Sequence, residues 1–151
     1  MNNNVRNVTI GLIDGLTIPF ALAAGLSNIV LSTHTIFISC LAIIIAYSIT
    51  MTIGAYMSAQ KHEPVNALTS AFTIGVSYIA GGLISVFPFF IITAPGDALK
   101  YSSVTTLTAL FLAGYLDSKS NNANGWTGAI RVAVTGVVAG AAAYGVAYLF
   151  R

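Results

Sequence analysis

Asp14 stands inside an almost wholly apolar stretch, GLIDGLTIPFALAAGLSN, at 11–28, and Pro19 follows it five residues later. Proline has no N–H, so in a helix the carbonyl of Gly15, four residues back, loses its donor. A carboxylate and a freed carbonyl then lie side by side. Both are hard oxygen ligands that suit a divalent cation, and Thr17 adds a hydroxyl nearby. The second stretch able to do chemistry is AYSITMTIGAYMSAQ, at 46–60. On a helix, Ser48, Met51, Ala55 and Ser58 share one face, and Met57 points about 120° away from Met51. A thioether is soft and favours the later metals. Asp14 with Met51 therefore makes a mixed hard and soft pair, suited to borderline ions such as Fe²⁺, Co²⁺ or Zn²⁺. Taken alone, a methionine in an apolar helix is more often packing filler.

Other residues carry weaker signals. His62 and Glu63 could gather metal at an entrance, but a lone His–Glu pair is a poor site, and a solvated loop is the preferred reading there and at His34. Asp97 and Lys100 read as a solvated ion pair worth little. Thr105, Thr106 and Thr108 are expected to bond back to their own helix. Pro88 is a hinge or a kink. Arg131 either snorkels or neutralises a carboxylate. Cys40, the single cysteine, reads as a small buried hydrophobe.

The elements that must position these residues follow from composition. Of 151 residues, 56% are hydrophobic and 7% charged, and the mean hydropathy is +0.85. Soluble domains carry about 25% charged residues, so the chain reads as an all-α integral membrane protein. Five segments meet the requirement of about 20 mostly apolar residues for a crossing: 8–30, 35–59, 68–92, 99–116 and 126–150. Short connections leave room for one transmembrane domain over 1–151. No removable signal peptide is read at the N-terminus. Arg6, Lys61, Lys119 and Arg131 fall on one side, and Lys100 and Arg151 on the other. That imbalance puts the N-terminus in the cytoplasm and the C-terminus outside. The short loops fit a prokaryotic cell membrane. A net charge of +2 with scattered basic residues gives no footprint for nucleic acid. No nucleophile–base pair and no cofactor signature is present, so an enzyme and a permanently bound cofactor are not expected.

Asp14 lies about 9 Å inside the first segment on this reading. An aspartate at such depth costs about 3 kcal/mol on insertion scales and is expected to face water, a partner or the bundle interior. Gly11, Gly15 and Gly25 would let a second helix approach closely, as would Gly136 and Gly140 in the last segment.

The stretches RNVTIGLIDGLTIPFALAAGLS, SITMTIGAYMSAQ, GGLISVFPFF and RVAVTGVVAGAAAYGVAYLF, in that order, resemble the vacuolar iron transporter (Ccc1-like) family over nearly the whole chain. The resemblance implies five helices per protomer and a homodimer with the pathway at its two-fold interface. It also implies export of Fe²⁺ and related ions such as Mn²⁺ or Co²⁺ from the cytosol in exchange for protons. Asp14 and Met51 match the pathway aspartate and methionine. The sequence departs from the pattern at Ala55, where the family has glutamate, at Ile13 for asparagine, and near Ser85 for proline. Only KHEP stands where many members carry a cytoplasmic metal-binding domain, as in the shorter, nodulin-like branch. The expected activity is divalent metal transport through Asp14, the Gly15 carbonyl and Met51, with Thr17, Ser48, His62 and Glu63 as secondary candidates. The alternatives are a non-transporting structural or interaction protein of the same fold, and a cation channel.

Overall fold

The computed structural model describes residues 3–62 and 64–150. They form five long helices: α1 (Asn3–Leu26), α2 (Thr33–His62), α3 (Ala67–Ile91), α4 (Pro95–Ser120) and α5 (Gly125–Leu149). A 3₁₀ turn, Pro64–Asn66, joins α2 to α3. No strand occurs among the described residues. The chain is an all-α integral membrane protein. By length and composition α1, α2, α3 and α5 are each apolar enough to cross a bilayer.

The segment expected as the fourth span, 99–116, lies in α4, which is not among the four helices apolar enough to cross by length and composition. It is 26 residues long, about 39 Å, but it carries Asp97, Lys100, Asp117 and Lys119 together with a run of hydroxyls. Its course is set by packing instead. Gly114 faces Gly128 and Val132 of α5, and Gly136 of α5 faces Leu110 and Leu107. α4 thus runs antiparallel along α5 through the same depth. Its buried stripe of Ala98, Ser102, Thr106, Leu110 and Ala113 turns inward. Ser103 and Thr105 donate to Leu99 and Tyr101 carbonyls of their own helix, at 2.8 and 3.0 Å. Thr106 does not follow its expected back-bond: it is fully buried and its hydroxyl has no partner among the described residues. The Lys100–Asp97 pair forms as expected, at 2.9 Å with both side chains exposed. Arg131 is exposed, and Lys119 lies 5.6 Å from the Tyr115 ring.

α3 is the centre of the bundle and lies between α1 and α2. Small residues bring the backbones together on both sides. Toward α1, Gly11 meets Ile74 and Ser77, Gly15 meets the Tyr78 backbone, and Gly81 meets the Leu12 carbonyl. Toward α2, Gly75 meets Thr52, and Gly82 meets Ile44. The first and last helices are joined by the same device: Gly140 packs on the Phe20 ring and Gly25 on Ala143. The core itself is apolar, built on Ile36, Cys40, Ile44, Tyr78, Val86 and Phe89. Cys40 lies buried in it, as a small hydrophobe should, with its thiol directed at the Pro19 carbonyl, 3.7 Å away. Pro88 sits buried within a continuous α3.

One polar bond ties α4 to α3. Ser102 Oγ donates to the Ser85 carbonyl at 2.5 Å, with both residues fully buried. Between membrane helices such bonds contribute about 1 kcal/mol. Ser102→Ala is therefore expected to lower the melting temperature of the purified protein by a few degrees and leave its helix content unchanged, as read by circular dichroism.

Candidate metal-handling site

α1 begins at Asn3, five residues before the expected start, because the polar Asn3, Asn4, Arg6 and Asn7 continue the helix. Asn7 is itself only 4% exposed. This moves Asp14 deeper than its sequence position suggested. It lies eleven residues past Asn3, about 16 Å along the axis, and close to the middle of the apolar span Val5–Leu26. The helix continues through Pro19 without a break. Asp14 is half-buried, and among the described residues it makes no hydrogen bond and no ion pair. Such a carboxylate is costly in hydrocarbon unless something meets it.

Tyr78 of α3 meets α1 at Gly15, next to Asp14, and α2 at Tyr47. It is fully buried. Its ring stacks on Tyr47 of α2, with centroids 6.2 Å apart and planes 12° from parallel. Its backbone meets Gly15, the neighbour of Asp14, and its phenol carries a hydroxyl. That hydroxyl has no hydrogen-bond partner among the described residues, which costs about 1–3 kcal/mol for a buried polar atom. Met51 follows Tyr47 by one turn, is half-buried, and packs against the core cluster that contains Tyr78. Asp14 and Met51 therefore lie on the two helices that flank α3.

The remaining candidates divide. Gly15 is buried in the α1–α3 seam against the Tyr78 backbone. Thr17 donates to the Ile13 carbonyl and Ser48 to the Ile45 carbonyl, each at 2.8 Å. Both hydroxyls thus spend their protons locally and keep an oxygen lone pair. His62 ends α2, eleven residues and about 16 Å beyond Met51, so it is not part of this grouping. Glu63 lies outside the described residues. Met57, in contrast to Met51, is 60% exposed. No set of three His, Cys, Asp or Glu side chains that could hold a metal occurs among the described residues. One chain thus offers a single carboxylate, with thioether, hydroxyl and carbonyl donors around it. Sequence reasoning missed Tyr78. The signal was a phenol set in GVSYIAGG, one large polar ring among residues that otherwise serve close packing.

A family model described as the VIT family matches residues 5–67 and 60–148. A protein named vacuolar iron transporter 1 from Tulipa gesneriana is 28% identical over 211 aligned positions, covering 95% of this chain and 85% of the relative. The Arabidopsis thaliana protein of the same name is 28% identical over 208 positions, with 93% and 83% covered. Protein CCC1 of Saccharomyces cerevisiae is 25% identical over 218 positions, with 97% and 67% covered. An alignment of 211 positions against 151 residues leaves about 60 or more positions without a counterpart here. The family match changes segment at 60–67, the end of α2 and the 3₁₀ turn.

Proposed function

The chain belongs to the VIT family, and from that premise we propose that it carries Fe²⁺, and related ions such as Mn²⁺ or Co²⁺, out of the cytoplasm in exchange for protons. The carrying observation is Asp14: a half-buried carboxylate at mid-helix without a protein partner among the described residues. Its relatives' names speak of iron transport. Asp14 takes the cation as a hard, charged ligand, helped by the Gly15 carbonyl that Pro19 leaves without a helical donor. Met51 adds the soft ligand that tilts preference toward borderline ions over Mg²⁺ and Ca²⁺. One carboxylate neutralises only half of a divalent charge. A homodimer that sets two copies of Asp14 and Met51 around one axis balances it. The N-terminus lies on the cytoplasmic side in this reading.

The exchange follows from the carboxylate. A protonated Asp14 cannot bind the ion, so proton and metal compete for one group and metal binding releases a proton. Raising the proton concentration on the loading side therefore weakens uptake, and lowering it strengthens uptake until the carboxylate is fully ionised. The test is uptake of Fe²⁺ under reducing conditions, or of Co²⁺, into liposomes holding the purified protein, at several loading pH values and with an internal pH dye. Uptake that declines as the loading pH falls, with counter-movement of protons, supports an exchanger. Uptake without proton movement identifies a channel. No uptake of Fe²⁺, Mn²⁺, Co²⁺ or Zn²⁺ leaves a membrane protein that shares the fold and has lost metal handling.

A further inference from the structure

We infer that Tyr78 is a positioning residue for the transported ion, its hydroxyl accepting a hydrogen bond from water that the ion carries while Asp14 holds the ion itself. The inference rests on the transport reading above. Three observations carry it. Tyr78 is fully buried and its hydroxyl has no partner among the described residues. Its backbone is locked against Gly15, the neighbour of Asp14, so the two residues keep a fixed relation across the α1–α3 seam. Its ring is held from the other side by Tyr47, one turn from Met51.

Each contact fixes the phenol, yet none uses its oxygen. A ring needed only for packing is served as well by phenylalanine, which carries no polar atom to bury. The ring stands between the α1–α3 seam that carries Asp14 and the Tyr47 ring of α2. Ionic charge there is met by a carboxylate, and a neutral hydroxyl is matched to the less charged part of the cargo, its remaining water shell. Bridging water of this kind is nearly as good a link as a direct bond. The hydroxyl therefore fixes where the ion sits relative to Asp14 and Met51, and favours ions that keep part of their water.

Tyr78→Phe separates this role from packing, because it keeps the ring and removes only the oxygen. Liposome uptake of Co²⁺ is expected to show an apparent KM raised about three- to tenfold, the loss of one hydrogen bond, with the maximal rate changed much less. The melting temperature of the purified variant is expected to equal or exceed that of the wild type, since a buried orphan hydroxyl has gone. An unchanged KM overturns the inference, and so does a fall in melting temperature that accompanies loss of uptake, which would make the hydroxyl structural. Failure of the transport reading has a different signature: wild-type protein moves no ion at all. In that case the Co²⁺-induced rise in melting temperature decides. A smaller rise in Tyr78→Phe than in wild type upholds the contact, and equal rises, or none in either, reject it.

Discussion

Asp14→Asn is expected to reduce metal uptake by at least about 100-fold. Loss of partners that only orient a metal ligand already costs 10–100-fold in affinity, and Asp14 is the one carboxylate at mid-depth in α1. Asparagine keeps the size and one oxygen but removes the charge, so a divalent ion loses its main compensation. The same substitution is expected to leave the fold intact or make it more stable. A carboxylate that meets no cation among the described residues is a burden to the folded helix, and a neutral amide lowers it. Uptake in liposomes and thermal melting of the same preparation check both halves. Wild-type rates in the variant would remove Asp14 from the path and the transport mechanism with it. A variant that melts much earlier would instead assign Asp14 to an unseen structural contact.

Gly15→Ala and Gly81→Ala are expected to prevent accumulation of folded protein, whereas Gly54→Ala and Gly145→Ala are expected to be tolerated. A methyl group on Gly15 would run into the Tyr78 carbonyl, and one on Gly81 would come within 2.6 Å of the Leu12 carbonyl and 2.9 Å of the Leu16 nitrogen. In each case the opposing atoms are backbone and have no rotamer to change. Overpacking commonly costs 1–3 kcal/mol, and against a backbone about 3 kcal/mol or more is expected. Nothing lies within 4 Å of a methyl placed on Gly54 or Gly145, and alanine is the better helix former by about 1 kcal/mol. The yield of monodisperse protein after size-exclusion chromatography separates the pairs. Equal yields for all four would mean that the helices can part at the seam at little cost.

Helix number and order were readable because apolar runs of bilayer length are a strong signal. Asp14 drew notice in the sequence because a carboxylate is rare in such a run, and Met51 only through the family resemblance, since methionine is common in apolar helices. The N-terminal edge of α1 was not, since Asn3, Asn4 and Asn7 look like a solvated tail until Asn7 is seen to be buried. That edge matters, for it sets the depth of Asp14. The glycines of α1 announced close packing without naming the partner. Only the three-dimensional arrangement shows that α3, and not α2, fills the seam. Tyr78 stayed hidden for the same reason: its sequence neighbours describe packing, and its contacts with Gly15 and Tyr47 arise between helices that are distant in the chain. Thr106 shows the limit of a local rule. Its hydroxyl had its own helix to bond to, and burial left it without a partner among the described residues.

The turn Pro64–Asn66 lies in the short junction between α2 and α3, at the point where the family match changes segment. Relatives place a much longer stretch somewhere in their chains without losing the alignment of the helices on either side. The entropy of closing a loop grows only slowly with its length, so the two helix ends can be bridged by a turn or by a whole domain at similar cost to the bundle. The junction is therefore a permissive splice point. A compact reporter whose own termini lie close together can be seated there, giving a handle for topology mapping and for attaching a chosen binding module, with the helix bundle left untouched.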